Sequence, residues 1–215
     1  ADSVAGGNEM DETGEAAPAN PVHHCTGERG GSDCTKWSYV YFGNYPQSDA
    51  TGKTKEPIKW RVLSVDGDDA FLVADMNLDV QRYNLVEKAV TWETCTMRSW
   101  LNGYGSSSND SKIDYTSDNF IGCAFNESEQ NAIKTVTVTN KDNPFGGGAG
   151  GNDTHDKLFL LSFDEVTNPD YGFSANWAEQ DNARLRKNTA YAAAGGTIGS
   201  DKMKSAGSEN SWMLR

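Results

Sequence analysis

The sequence predicts an α+β domain with short helices and a mainly antiparallel sheet. Apolar residues alternate with polar ones from 58 to 62, which is the two-residue period of a strand with one buried face. Asn126 and Ser162 each lie three positions before a glutamate, a pattern typical of helix starts. Six Trp, eight Tyr and eight Phe supply large side chains for a core, although the hydrophobic content is only 36%.

The strands of the first half are predicted by aromatic and alternating runs. The aromatic run 37–42 predicts a first strand. The alternation at 58–62, the turn residues at 66–69 and the apolar run 70–74 predict a hairpin. We therefore expect one folded domain over residues 36–215.

Helices and short strands should follow in the second half. A helix is predicted from Thr91, as its N-cap, to Gly103, just past its end. The two capping boxes predict further helices, and the β-branched run 135–139 predicts a strand between them. The apolar run 158–161 predicts a fully buried strand, and residues 189–194 a helical turn.

The N-terminal region differs in composition from the rest. Residues 1–20 are polar, with few sizeable apolar groups, and predict a flexible tether. Residues 21–35 form a polar cysteine loop. Because Ala1 begins a polar stretch without an initiator Met, we expect a signal peptide to have been removed and the protein to be extracellular or at the cell surface.

Four cysteines are an even number, which agrees with disulfides in an exported protein. We predict bonds from Cys25 to Cys34 and from Cys95 to Cys123, one of three pairings. The alternatives are four free thiols in a cytosolic protein, or a zinc site that joins the histidines at 23 and 24 to the first two cysteines.

The net charge of -12 excludes two classes of partner. An acidic surface repels the phosphate backbone of nucleic acids and also anionic lipid headgroups. No stretch of the sequence approaches the roughly 20 apolar residues that span a bilayer. We expect neither nucleic-acid binding nor membrane insertion of the mature chain.

Catalytic patterns are scarce, so the sequence predicts a protein that is not an enzyme. A Ser-His-Asp site would depend on His155, yet no G-x-S-x-G motif accompanies it. The glycine-rich stretch 146–151 is not followed by the Lys-Ser/Thr pair of a phosphate-binding loop. We assign no catalytic residue.

The loop that contains the glycines also carries a cluster of oxygen-bearing side chains. Asn152, Asp153 and Asp156 offer the amide and carboxylate oxygens that calcium prefers. The alternative is a loop in which these side chains accept hydrogen bonds from their own backbone. Calcium is the cofactor that this pattern favours, and otherwise we expect none.

Aromatic residues in a later loop predict a ligand-binding surface. Tyr171, Phe173 and Trp177 lie among Asn and Gly residues, and exposed aromatic rings are a common platform for sugars and peptides. Core packing is the alternative for Trp177. Trp92 and Trp100 are expected in the core because of their helical setting.

Several segments together resemble an uncharacterised domain that recurs in secreted and surface proteins of gut and rumen bacteria. The segments are Tyr-Phe-Gly-Asn-Tyr-Pro-Gln at 41–47, Pro-Ile-Lys-Trp-Arg-Val-Leu at 57–63, Thr-Trp-Glu-Thr-Cys-Thr-Met-Arg-Ser-Trp-Leu-Asn at 91–102, and Gly-Asn-Asp-Thr at 151–154 with 156–162. The motif residues are Trp92, Arg98, Trp100, Trp212 and Arg215. The resemblance spans 37–215 and implies a single C-type lectin-like domain, related also to formylglycine-generating enzymes, at the cell surface.

The family pattern continues beyond its Trp-Trp-Leu-Arg motif, whereas this chain stops at Arg215. We therefore expect an apparently truncated domain whose missing strands come from a C-terminal fragment or a neighbouring subunit. Residues 211–215 should then be ordered, with an open edge.

The leading hypothesis is an extracellular binding or structural module whose ligand is a glycan or a protein at the cell surface. One alternative is a subunit of an extracellular filament or assembly completed by another chain. The other is an extracellular enzyme acting on glycans or peptides.

Overall fold

Strands and short helices alternate along the chain in a computed structural model, which describes residues 17–23, 35–146, 148–179, 181–196, 209–210 and 214–215. The strands are β1 (Val22–His23), β2 (Thr35–Lys36), β3 (Tyr39–Pro46), β4 (Lys55–Asp66), β5 (Asp69–Ala74), β6 (Met76–Asn77), β7 (Val136–Val138), β8 (Thr154–Asp156), β9 (Arg186–Asn188) and β10 (Glu209–Asn210). The α-helices are α1 (Thr96–Asn102), α2 (Phe120–Ala124), α3 (Glu127–Ala132), α4 (Phe163–Val166) and α5 (Ala190–Ala193). The fold is mixed, with short helices and small, mostly antiparallel sheets, as the sequence predicts.

The predicted hairpin supplies β4 and β5 of the main sheet, in which β4 is the central strand and pairs antiparallel with β3 and β5. Asp66 and Asp69 are its last paired residues, so Gly67 and Asp68 make a two-residue turn. Gly67 has a φ of 58°, a left-handed conformation that glycine adopts without steric cost. The hairpin prediction is confirmed.

A register shift in β4 places two consecutive side chains in the interior. The pairing with β5 slips between Val62 and Ser64, and a bulge of this kind turns consecutive side chains out of strict alternation. Val62 and Leu63 are both fully buried as a result.

The remaining sheets are small and join distant parts of the chain. β9 pairs in parallel with β6 and antiparallel with β10. β7 pairs with β8, and β1 with β2, both antiparallel. The amide of Asn77 donates to the side-chain oxygen of Asn188 at 2.9 Å, which reinforces the parallel pair.

Ordered contacts begin earlier than the predicted domain start at 36. The backbone N–H of Ala19 donates to Ser38 Oγ at 2.9 Å, and the side-chain oxygen of Asn20 accepts from the N–H of Val65 at 2.7 Å. The end of the predicted 1–20 tether therefore contacts the sheet, because these polar groups find backbone and hydroxyl partners there. Residues 1–16, most of the cysteine loop 21–35 and residues 211–213 lie outside the described residues.

The helix predicted from Thr91 is divided in two. A 3₁₀ helix spans Trp92–Thr94, and α1 begins only after Cys95, whose extended backbone breaks the helix and caps α1. Thr91 stands at the N-cap position of the 3₁₀ helix, as predicted for the start of the helical region, but its side chain makes no capping bond and α1 itself is capped by Cys95. The predicted end is confirmed, since Gly103 closes α1 with a φ of 70°.

The two capping boxes are both formed, and they start α3 and α4 as predicted. The β-branched run 135–139 contains β7, and 189–194 contains α5. The run 158–161 is not a strand, which corrects the prediction. Its backbone is bonded instead by the side chain of Asn102 and by Arg215.

Two apolar clusters make up the interior. The larger one lies between β3 and β4 of the sheet and the helical segments α1 and α2, and its buried members are Tyr45, Ile58, Leu78, Trp92, Cys95, Met97, Trp100, Phe120, Ile121, Ala124, Phe125 and Val138. The smaller one comprises Leu63, Leu161, Val166, Phe173 and Ala183. Trp92 and Trp100 are core residues, as predicted.

Candidate binding site

Three aromatic side chains from three separate segments meet at the surface. We call Phe145, Phe163 and Trp177 the aromatic cluster. The ring of Phe163 lies 5.2 Å from that of Phe145 and 5.2 Å from that of Trp177. Phe145 and Trp177 are nevertheless 68% and 43% exposed. Contiguous exposed apolar surface of this kind marks binding sites more often than single exposed residues do.

Local hydrogen bonds hold Phe145 in position on its loop. The side chain of Asn143 accepts from the N–H of Phe145 at 2.9 Å, and the carbonyl of Asn143 accepts from Gly146 N–H at 3.1 Å. Asp142 accepts from the N–H of Gly150 at 2.9 Å on the other side of the loop. This loop is built on side-chain-to-backbone turns.

Phe163 and Trp177 are held by neighbouring elements. Phe163 is the first residue of α4, whose start is fixed by the capping box of Ser162 and Glu165. Trp177 lies in a loop where Asn176 accepts from Ala178 N–H at 3.0 Å and donates to Glu179 at 3.1 Å. The backbone that carries Phe163 and the backbone that carries Trp177 are therefore both held in place by local hydrogen bonds.

Arg184 contacts the aromatic cluster and links two of the segments that carry it. Its guanidinium carbon lies 5.2 Å from the ring of Trp177, within the range of a cation–π contact. The same guanidinium donates to the carbonyl of Val166 at 2.9 Å and to that of Ser174. Arg184 thereby ties the end of α4 to the loop that carries Trp177.

The predicted aromatic surface at 171–177 is only partly formed. Phe173 is 1% exposed and belongs to the smaller core, so it does not line a surface site. Tyr171 is partly buried against the edge of Phe71, with ring centroids 5.4 Å apart, and burial raises the pKa of its phenol. Only Trp177 of the three is in the exposed cluster.

The sequence reasoning missed Phe145 and Phe163. A signal for Phe145 was present, because the residue stands between Pro144 and Gly146 in a polar, glycine-rich loop where no apolar period could place it in a core. Phe163 gave no comparable signal, since an apolar residue at a helix start is commonly buried.

Asp156 of the predicted calcium set is a buried structural residue. Its carboxylate accepts from Trp92 Nε1 at 3.0 Å, Arg98 Nε at 2.8 Å, Tyr104 OH at 3.1 Å and Thr154 Oγ1 at 2.6 Å. Burial, together with this carboxylate, raises the pKa of Tyr104 to about 12. The oxygens of Asp156 are thus occupied by protein donors.

Asn152 and Asp153 also have protein partners. Asp153 accepts from the N–H of Asn140 at 3.0 Å, while Asn152 donates to Glu93 at 3.0 Å. In the part of the chain that the structure describes, no group of three His, Cys, Asp or Glu side chains is placed to hold a metal ion. These contacts are not the local backbone turns of the alternative, and calcium binding stays a prediction.

The motif residues Arg98 and Arg215 are both anchors of the fold. Arg98 pairs with Asp156 and also donates to the carbonyl of Glu93 at 3.0 Å. Arg215 has a side chain only 4% exposed and binds Glu165 through both terminal nitrogens, at 2.7 and 3.0 Å. Trp212, the remaining motif residue, lies outside the described residues.

The predicted bond between Cys95 and Cys123 is absent, because both are free thiols. Cys95 is buried at the start of α1, where its sulfur donates to the carbonyl of Trp92 and accepts from the N–H of Arg98. Cys123 lies on α2 and is exposed. Cys25 and Cys34 lie outside the described residues.

Cys95 and His155 are two candidate catalytic side chains in the described part of the chain. Burial raises the pKa of the Cys95 thiol to about 11, which keeps it protonated at neutral pH. His155 is exposed, and its Nδ1 lies 3.3 Å from the hydroxyl of Thr137.

A second surface feature lies between β5 and the run 158–161. We call it the apolar cleft; it encloses about 1170 Å³, and its walls include β5, Val136 and residues 158–161. The rings of Phe71 and Phe159 stack across it with centroids 5.7 Å apart. No helix among the described residues is long and apolar enough to cross a membrane.

Fold and surface together define a small α+β domain with an exposed aromatic surface and an apolar cleft. The chain belongs to the family described as Domain of unknown function (DUF6273), whose model matches residues 67–215. The match includes the aromatic cluster, Arg98 and Arg215, whereas β3 and β4 precede it. No curated protein and no solved structure matches the chain.

Proposed function

We propose that this chain is an extracellular, non-catalytic binding module that recognises glycans through the aromatic cluster. The exposure of Phe145 and Trp177, on loops that local hydrogen bonds hold in place, is the observation that carries the proposal. The apolar faces of sugar rings stack on aromatic side chains, and rigid rings lose little entropy when they bind.

Polar side chains next to the cluster suit hydroxyl recognition. Asp164 directly follows Phe163 in the sequence. It forms an exposed ion pair with Lys141 at 2.5 Å. Asn176 and Glu179 flank Trp177. Amide, carboxylate and ammonium groups at the rim of an apolar surface fix the orientation of a polar ligand.

The proposal goes beyond family membership in three respects: a C-type lectin-like fold, a cell-surface location and a non-catalytic role. A C-type lectin-like fold agrees with short helices, small antiparallel sheets and long functional loops, and a cell-surface location agrees with the acidic composition. A binding role is preferred to an enzymatic one because the thiol of Cys95 is buried and protonated at neutral pH.

A glycan array probed with the full chain tests the proposal. We expect retained binding to a restricted set of glycans, with affinity reduced about tenfold by Trp177→Ala or Phe145→Ala. Tyr41→Ala is the matched control, since Tyr41 is also an exposed aromatic residue but lies on β3. Thermal melting should show each variant folded.

Two results would overturn the proposal. The first is an array without specific binding, or binding that the Trp177 and Tyr41 variants lose equally. The second is release of sugar products from a bound glycan by the wild-type chain, which would make the protein an enzyme.

A further inference from the structure

The edge of the main sheet is apolar and open. β5 is the outer strand, and its backbone pairs only with β4; no other residue in the described part of the chain bonds to its N–H or C=O groups. Five of its six residues are apolar, and none is fully buried. Proteins normally cover or charge such an edge, because it is a template for another strand.

The wall opposite β5 is similarly incomplete. The N–H and C=O of Leu158 are bonded by Asn102, and the carbonyls of Leu160 and Leu161 by Arg215. The N–H and C=O of Phe159 have no partner among the described residues. Each long wall of the apolar cleft therefore includes backbone groups without a hydrogen-bond partner among the described residues, along β5 and at Phe159.

The volume of the cleft is unusual for a small-molecule site. At about 1170 Å³ it exceeds the roughly 300–1,000 Å³ of typical ligand pockets. All six residues of β5 line it, together with residues of β3, β4 and the β4–β5 turn. An apolar occupant that extends along β5 matches this lining.

Acidic side chains at the β4–β5 turn make one end of the cleft negatively charged. Asp66 and Asp68 line it, are exposed and have no ion-pair partner among the described residues. Asp69 is instead paired with Lys134 at 2.5 Å across the mouth. The cleft therefore ends in two unneutralised carboxylates, which attract a cationic group.

We propose that the apolar cleft binds an extended apolar segment of a partner protein as an added strand along β5, with basic residues beside Asp66 and Asp68. Backbone hydrogen bonds to β5 provide affinity in this mode, and alternate side chains enter the cleft to provide specificity. The proposal is independent of glycan binding at the aromatic cluster.

The acidic charge favours this occupant over two others. A second copy of the chain also carries a net charge of -12, so association of two copies is opposed by mutual repulsion. An anionic lipid is opposed in the same way by Asp66 and Asp68. A peptide with Lys or Arg at one end can place its positive charge beside Asp66 and Asp68.

Selection from a phage-displayed library of ten-residue peptides against the full chain tests the proposal. We expect enrichment of alternating apolar sequences with Lys or Arg at one end. A synthetic peptide of the enriched sequence should slow hydrogen exchange at the outward-facing amides of β5. This exchange readout separates strand addition from binding elsewhere on the surface.

Matched variants locate the peptide. Ala70→Lys places a charge on the exposed part of the open edge and should lower affinity at least tenfold. Asp68→Lys should lower it about two- to fivefold, while Asp118→Lys, the same charge change at an exposed site outside the cleft, should have little effect. Both charge variants alter the surface only, so folding is expected to persist.

Five outcomes would overturn the proposal. The first four are a library without enrichment, enriched peptides of acidic or polar sequence, binding without protection of β5, and concentration-dependent self-association that Ala70→Lys abolishes. The fourth would assign the cleft to a second copy. Displacement of the dye anilinonaphthalene sulfonate by decanoate but by none of the selected peptides would assign it to a lipid and also reject the proposal.

Discussion

Arg98 and Asp156 join α1 to β8 through an ion pair of 2.8 Å in which the carboxylate is completely buried. Three further protein groups donate hydrogen bonds to the same carboxylate, so both of its oxygens have protein partners. Removal of one partner from such a pair leaves an uncompensated charge in the interior, which costs far more than the pair itself contributes.

We expect Arg98→Met to destabilise the protein by about 3–5 kcal/mol, because the Asp156 carboxylate then loses its counter-charge inside the fold. Urea unfolding measures the loss. Lys88→Met is the control, since Lys88 pairs with Asp110 at 2.8 Å on the exposed surface, and it should cost less than about 1 kcal/mol. Similar losses for the two variants would show that burial of Asp156 is unimportant.

The two capping boxes can be compared to estimate the Arg215 contact. Glu129 and Glu165 occupy the same capping position; Glu129 also accepts from the N–H of Gly43 at 3.2 Å, whereas Glu165 binds Arg215. We expect Glu129→Ala to cost about 1 kcal/mol and Glu165→Ala about 3 kcal/mol, because a buried guanidinium loses its partner. Adding Arg215→Met to Glu165→Ala should restore part of the loss, and an additive double variant would contradict this.

The two described thiols should differ in reactivity. Cys123 is exposed and Cys95 is buried, so we expect a thiol reagent to label Cys123 in the native protein and Cys95 only after unfolding. Peptide mapping without reduction measures both. A linked Cys95–Cys123 peptide, or rapid native labelling of Cys95, would contradict the structure.

Cys95 should make stability fall at high pH. Burial raises its pKa from 9.0 to about 11, so folding favours the protonated thiol. This contribution is complete below pH 9 and is lost as pH rises through 11. We expect wild type to lose about 2 kcal/mol more than Cys95→Ala between pH 8 and pH 11, measured by urea unfolding. Parallel curves for the two proteins would contradict the shift.

The loop that carries Asn152 and Asp153 should be stable without calcium. The oxygens of Asp156 are all engaged by protein donors, and Asp153 accepts from Asn140. We expect neither EDTA nor millimolar calcium to change the melting temperature, measured by differential scanning calorimetry. A rise with calcium that Asp153→Asn abolishes, but Asp142→Asn does not, would support the calcium alternative.

The sequence predicted elements whose signals are local. The β4–β5 turn, the Gly103 helix end and both capping boxes depend on residues within a few positions of one another. The run 158–161 was mispredicted because its partners, Asn102 and Arg215, lie more than 50 residues away. Apolar composition alone does not distinguish a strand from an irregular buried segment.

The binding surface was harder to predict for the same reason. Trp177 was singled out, but Phe145 and Phe163 reach it only through the tertiary fold. Phe173 has the same local setting as Trp177 and yet enters the smaller core. Spacing in one loop cannot show which ring meets an element from another part of the chain.

The parallel pair of β6 and β9 sets the order in which the chain can fold. Asn77 and Asn188 are 111 residues apart, whereas the β4–β5 hairpin closes over two residues. Hairpins form in about 1–10 μs, and long-range parallel pairing is intrinsically slow. During synthesis, Met76 and Asn77 leave the ribosome long before β9 has been translated. The hairpin can fold at once, but its neighbour β6 must wait unpaired for more than a hundred residues of later sequence.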